Sequence, residues 1–426
     1  RGLGDVYKRQ PKSGYYVSDL SGIPVHQTEY TSETYEAEEQ GTDSRTAKAG
    51  DKVLLTGGEN AFIADFTSNQ TEHAAFPFSI WNKTMRAVMN DYQEEMMINP
   101  PCGGVMELRK SISSYLKEFC AMYVRPEQII IGAGTEYLYS ILIQLLGRNV
   151  CYGVENPGYP KIAKIYRSMG VKYEYIDLDE EGTSAKKLEE KKVDIMHISP
   201  SHHFPTGMVM PISKRYELLG WVTRKKERYI IEDDYDSELR LAGKPIPSLQ
   251  SIDVSGKVIY INTFAKTLCS TVRISYMVLP EALAEKYYRE LSFYSCTVSN
   301  FEQYTLAAFM NAGAFEKHIN RLRNYYQHKR DLILSTFLRE PLGKYITISE
   351  EDSGVHFLMH VNTSMSEQEF LLKTRAKGIR LATLSSFYNA EQKDSRYENT
   401  YVMNYSFVDC DRLEYVAQTL YKIIHP

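Results

Sequence analysis

Short apolar runs rich in Ile, Val and Tyr recur beyond Phe62, separated by stretches whose apolar positions return with a helical period. The run QIIIG at 128–132 predicts a strand ending in a glycine-rich turn, and TEYLYSILIQLLG after it predicts a helix. Runs at 150–154, 173–176, 194–198, 229–231 and 258–261 repeat the strand pattern at intervals that leave room for crossover helices. Such alternation predicts an α/β fold in which a mainly parallel sheet is covered on both faces. After about Tyr287 helical patterns dominate, through SFYSCTVSNFEQYTLAAFMNAG (292–313) and then FEKHINRLRNYYQHKRDLILSTFL. The remainder, with SGVHFLMHV, GIRLATLSSFY and YVMNYSF, predicts a smaller α+β domain. No internal repeat is present.

The first twenty residues do not read as the start of a domain. A turn at Ser13-Gly14 leads into the β-prone Tyr15-Tyr16-Val17 with nothing ahead of it to pair with, like the tail of an element that lies elsewhere. Residues 21–61 are rich in Thr, Ser, Glu and Gly without a sustained apolar period, the composition of a solvated linker.

The 426 residues are 43% hydrophobic and 24% charged with a net charge of −4, which fits two or three globular domains and removes the basic signature of a protein that coats nucleic acid along its whole length. A small basic module stays compatible with that average. No run approaches the ~18 apolar residues of a membrane span, and the opening RGLGDVYKRQ lacks the apolar core of a secretory signal, so the expectation is a cytoplasmic protein with no membrane partner. The six cysteines form no CxxC or Cys/His cluster, which argues against a disulfide framework or a zinc site and predicts buried free thiols.

On a parallel sheet, chemistry is sought just beyond the strand C-terminal ends. Lys266 follows the strand VIYIN, with Thr263 before it and Arg273 seven residues on. Most lysines are solvated surface groups, but this setting suits a Schiff-base lysine beside a phosphate, because desolvation and nearby positive charge free the amine to attack a carbonyl. Asp233-Asp234-Tyr235 follows the strand at 229–231. Paired acids are more often metal ligands, caps or solvated loop groups, yet no further carboxylate or histidine cluster at metal spacing accompanies them. A carboxylate there could instead keep a pyridine nitrogen protonated. Gly134, Thr135 and Glu136 open a helix directly after a strand, an anion site by geometry, although glycines at such turns usually serve the turn alone. Tyr159, in ENPGY, either stacks on a planar cofactor or merely packs. In SHHFPTG (201–207) adjacent histidines point apart on extended backbone, which favours a loop role over metal binding.

Taken in this order, these residues resemble the aspartate aminotransferase superfamily, fold type I, over residues 62–426. Within it, Phe76-Pro77 with Trp81, Gly103 with Leu108-Arg109, ENPGY, SHHFPTG, IIEDDYDSE (230–238) and TFAK with Arg273 look like the MocR-type branch of the GntR transcription regulators. The resemblance implies a large domain (62–310) with a mainly parallel seven-stranded sheet, a small C-terminal α+β domain (311–426), a linker (21–61) and, at 1–20, the last wing of a winged helix-turn-helix whose recognition helix is absent from this sequence. It implies pyridoxal 5′-phosphate as cofactor. Lys266 would carry it as a Schiff base, Asp233 would face the ring nitrogen, Tyr235 the ring oxygen, and Tyr159 would stack on the ring. Gly134, Thr135, Glu136, Thr263 and Arg273 would hold the phosphate. No metal is implied. It further implies a homodimer that senses a small amino compound by exchanging the lysine for the effector amine, and that contacts DNA only through the N-terminal module. The alternative is a free-standing class I/II aminotransferase.

Four departures from the aminotransferase pattern bear on that choice. The arginine that clamps a substrate carboxylate is replaced by Val402, in Tyr401-Val402-Met403-Asn404-Tyr405-Ser406, which tells against ordinary amino-acid transamination. The asparagine before Pro-Thr-Gly is Phe204, as in the regulator branch. Ser270 replaces the usual proline of the lysine loop, and no match to the neighbouring subunit's phosphate tyrosine stands out in 92–103.

Overall fold

The computed structural model describes residues 7–10, 14–17, 62–72, 75–242, 246–352, 354–389 and 397–425. The chain divides into two units, Arg1–Glu59 and Asn60–Pro426. In the first, β1 (Tyr7–Gln10) and β2 (Gly14–Val17) pair antiparallel, Tyr7 opposite Val17. The run at 14–17 therefore does have a partner ahead of it, which corrects the sequence expectation. That partner, YKRQ, has too little apolar alternation to be read as a strand, so only the pairing reveals it. The linker expected at 21–61 lies outside the described residues.

The second unit opens with β3 (Ala64–Asp65), and its large sheet holds β4 (Ile129–Ala133), β5 (Cys151–Asn156), β6 (Lys172–Asp177), β7 (Ile195–Ile198), β8 (Tyr229–Asp233), β9 (Val258–Thr263) and β10 (Ile274–Val278). Their spatial order is β4-β10-β9-β8-β7-β5-β6, and only β10 runs antiparallel to its neighbours. Six of the seven strands follow from the sequence pattern; β10 completes the sheet. Side chains alternate across the pleat, so Ile129 and Ile131 join a cluster with Trp81, Leu108, Phe309 and Phe315, while Ile130 joins one with Leu138, Leu142, Tyr166 and Tyr287 on the other face. Burial on both faces is why these strands read as continuous apolar runs rather than alternating ones.

A second sheet, in order β11-β12-β15-β14, is built from β11 (Ile346–Ser349), β12 (His356–Val361), β14 (Ala382–Thr383) and β15 (Thr400–Asn404). Strand β13 (Ile379–Arg380) pairs in parallel with β3, Ile379 opposite Ala64, and so ties the start of this unit to its C-terminal part. The helix Ala314–Phe337 serves both layers. Phe315 and Ile319 pack in the first large-sheet cluster, whereas Leu322, Tyr326, Ile333 and Phe337 pack under the small sheet.

Two expectations need correction. The helical pattern over 292–313 forms a helix only at Asn300–Asn311, because Ser299 caps it, its side chain accepting from Phe301 N, and Phe293 ahead of the cap is exposed. The cysteines are free, but only Cys151 and Cys296 are buried; the other four are half-buried.

A buried ion pair braces the strand ends from below. Glu232 and Arg215 are both fully buried, 3.7 Å apart. Glu232 accepts from Leu249 N and Gln250 N (2.8 and 2.9 Å), while Arg215 donates to the carbonyls of Pro200, Met210 and Pro247 (2.8, 3.2 and 2.9 Å). Replacing Glu232 with alanine strands two amides and a guanidinium together. Urea unfolding of Glu232→Ala is expected to show a loss of about 3–5 kcal/mol, whereas a change within experimental error would mean the pair does not brace the loops.

Candidate functional site

The parallel order brings the ends of β4, β5, β7, β8 and β9 to one edge. Because β10 runs the other way, its beginning lies there too, with Ile274 opposite Ala133, and Arg273 joins the residues that follow β4. All nine site residues expected from the sequence therefore stand at strand ends along this edge.

Asp233 closes β8 and is buried. Its Oδ2 accepts a short hydrogen bond from the Tyr139 hydroxyl, and His197 Nε2 lies 3.5 Å away, in Coulombic reach but long for a hydrogen bond. His197 Nδ1 meets the Tyr166 hydroxyl at 2.8 Å. Burial first, then the Asp233 charge, push the Tyr139 phenol up, so it stays a protonated donor. Asp233 Oδ1 is buried with no hydrogen-bond partner. An acceptor left so is costly unless a donor reaches it, which is what a protonated ring nitrogen would do.

Lys266 is half-buried, and its Nζ donates to Asn69 Oδ1 at 2.9 Å. Asn404 Nδ2 donates to the same oxygen at 2.7 Å, so one amide links the lysine to β15. Burial pushes the Lys266 ammonium below its ordinary value, with Asp236 pulling the other way. Asp236 Oδ2 is bonded to His202 Nδ1 at 2.8 Å, and the Tyr235 hydroxyl lies 3.3 Å from that nitrogen, its ring stacked on His202. The two histidines indeed part. His203 Nδ1 meets the Thr206 hydroxyl at 2.7 Å, while His203 Nε2 lies 3.4 Å from Glu155 Oε2.

At the β4 end, Gly134 adopts φ 90° and opens the helix Thr135–Leu146. A Cβ there would come within 2.4 Å of Arg273 Nη2, so glycine lets the guanidinium lie against the turn. Gly134 N donates to Gly132 O at 3.0 Å; Thr135 and Glu136 contribute first-turn amides, which have no intrahelical acceptor. The Glu136 side chain was not anticipated. It bonds Lys161 and, at 2.7 Å, Arg273, and the Lys161 bond ahead of the others holds its carboxyl below the usual range. Thr263 is buried and accepts from the Ser275 hydroxyl at 2.8 Å. Free amides, two cations and a hydroxyl pair suit a phosphate, and the Asp233 oxygen suits a pyridine nitrogen, so the donor set fits pyridoxal 5′-phosphate.

Tyr159 is exposed and stands edge-on to Phe204, whose ring also contacts Phe387 and His356. Val402 is buried with Leu358 and Leu384, and Phe204, Phe387, Tyr388 and Tyr397 pack around them. At the position where the resemblance expects a carboxylate-binding arginine there is thus an apolar cluster.

The family described as aminotransferase class I and II matches residues 63–396. The HTH-type transcriptional regulator YdeL of Bacillus subtilis is 38% identical over 330 residues, 78% of this chain and 71% of that protein. The probable rhizopine catabolism regulatory protein MocR of Rhizobium meliloti is 30% identical over 322 residues, 75% of this chain and 65% of that protein. Among solved structures, a kynurenine aminotransferase of Pyrococcus horikoshii superposes with a TM-score of 0.72 at 23% identity, covering 85% of this chain and 91% of that one.

Burial pushes the Glu155 carboxyl up to about 8, although Ser199 N and the Thr183 hydroxyl donate to it, and holds His203 down at about 3. A carboxyl whose folded value lies above its unfolded value of ~4.3 stabilises fully below that value and loses the contribution as pH rises through the folded one. The Glu155 contribution is therefore lost as pH rises from about 5 to about 8, so between these values the melting temperature of the wild type is expected to drop relative to that of Glu155→Gln. An unchanged slope in the variant would contradict this.

Proposed function

The chain belongs to the class I and II aminotransferase family, on its MocR-type branch of transcription regulators, whose cofactor is pyridoxal 5′-phosphate, and from that premise we propose that the edge of the large sheet senses a small amino compound. The bound cofactor supplies an electrophilic carbonyl carbon and an electron-accepting ring. Lys266 offers it an amine whose charged form burial disfavours, which favours its use as a nucleophile. Asp233 holds the ring nitrogen through its free oxygen while Tyr139 and His197 fix the other. Tyr235 faces the ring oxygen, and Tyr159 covers the ring. The first-turn amides of Thr135 and Glu136, the Thr263 hydroxyl and Arg273 hold the phosphate, Gly134 leaving room for the guanidinium and Arg273 being shared with the Glu136 carboxylate.

With Nζ joined to the cofactor's carbonyl carbon the bond to Asn69 would be given up, and an effector amine taking its place would free Lys266 Nζ to donate to Asn69 Oδ1 as it does here. Because Asn69 also receives Asn404 Nδ2 from β15, the exchange reaches the small sheet and alters how the two layers close. In the regulator this movement passes to DNA through an N-terminal module, and the working unit is a homodimer.

The observation that carries sensing over turnover is the buried apolar setting of Val402. With no guanidinium at that position, an α-carboxylate is not clamped for repeated proton transfer. Loaded with cofactor and supplied with amino acids and a 2-oxo acid, the chain is expected to convert no more than about one equivalent per site, with a shift of the cofactor absorbance on adding the effector amine. Sustained formation of the new amino acid over many equivalents would favour the free-standing aminotransferase instead.

A further inference from the structure

A cavity of about 520 Å³ lies between the end of the helix Met106–Cys120, the turn after β8 and the helix Ala314–Phe337. None of the nine expected cofactor residues lines it. Four carboxylates do: Asp234, Glu238 and Glu316, with Glu118 at an exposed position. Asp234 is buried and its Oδ2 accepts from the Tyr260 hydroxyl at 2.7 Å. Glu238 is only 7% exposed; its Oε1 accepts from Asn262 at 3.1 Å, but its Oε2 is buried without a hydrogen-bond partner. Across the cavity, Glu316 Oε2 is likewise buried and unpartnered.

The positive charge on the inner wall does not meet these oxygens. Arg323 Nε donates to the backbone carbonyl of Glu238 at 2.5 Å, and Lys117 stands at the exposed rim. Burial, and then the Asp234 charge, push Glu238 up to about 8, and pairing with a cation would bring it down. Among the described residues no group of three or more His, Cys, Asp or Glu is arranged to hold a metal ion. The cavity is also far larger than a bare ion, and Phe119, Met122 and Ile319 give it apolar walls beside the rings of Tyr115 and Tyr260. Carboxylates with free oxygens, aromatic faces and apolar surface together match an ammonium or guanidinium group on an alkyl chain.

We propose that this cavity is a second ligand site, distinct from the cofactor site, that takes an organic cation on Glu238 Oε2 and Glu316 Oε2. Asp234 and Glu238 belong to the same short segment as Asp233 and Tyr235, so a cation held here steadies the residues that face the cofactor ring.

Isothermal titration of the full chain with butyltrimethylammonium tests this, since a quaternary nitrogen cannot condense with the cofactor carbonyl and reports only on a non-covalent site. Saturable binding is expected, equal in Lys266→Ala, weakened at least about tenfold in Glu238→Gln, and absent with uncharged 1-pentanol. Should Glu238→Gln melt early, Glu316→Gln, at a half-buried position, carries the same expectation. Binding unaffected by both carboxylate variants, or no binding to a chain that still takes up the cofactor, would overturn the proposal; failure of cofactor uptake with cation binding intact would count against the cofactor site alone.

Discussion

One buried carboxylate organises the site. Asp233 has an oxygen held by Tyr139 and another, also buried, with no donor. Burying an acceptor in that state costs on the order of 1–3 kcal/mol, so the surrounding fold has to supply what the carboxylate does not. The parallel strands do so by delivering Asp233, Lys266 and the first turn of the helix Thr135–Leu146 to one edge, and the single reversed strand β10 adds Arg273. Glu232, one residue earlier on β8, points to the other face and binds Arg215, so the same strand is anchored beneath the site and functional above it.

The second constraint is the link between layers. Asn69 lies just beyond β3, which pairs with β13, and its side-chain oxygen receives both Lys266 and Asn404. A change at the lysine is thereby a change at β15 without any long relay. The helix Ala314–Phe337 packs into the cores of both layers, so the two cannot shift independently of it. Sensing in this account is the release of Lys266 by an effector amine, which lets the lysine hold the amide that reaches β15.

Much of this was legible in the sequence, and the parts that were not share a reason. Strands buried on both faces announce themselves as Ile- and Val-rich runs, and residues directly after them, such as Asp233 and Lys266, can be placed at the sheet edge from position alone. Periodicity reports the face a residue takes, not its partner. Tyr139 sits on the apolar side of a helix and reads as core; His197 sits inside DIMHIS and reads as strand; both turn out to serve Asp233. Asn69 lies in a polar stretch with no period, and in Glu136 a first-turn position signals the backbone amide but not the side chain's partners, Lys161 and Arg273. Val402 is the reverse case, where the residue type signalled the departure and the packing of Leu358 and Leu384 around it supplied the consequence.

The central claim, that Lys266 is the amine on which the cofactor is carried, is tested most directly by loading the chain with pyridoxal 5′-phosphate, reducing it with borohydride and mapping the modified peptide by mass spectrometry. The account predicts a single pyridoxyl label, on Lys266, and no stable label in Lys266→Ala. A label on another lysine of the wild-type chain, or none at saturating cofactor, would contradict it.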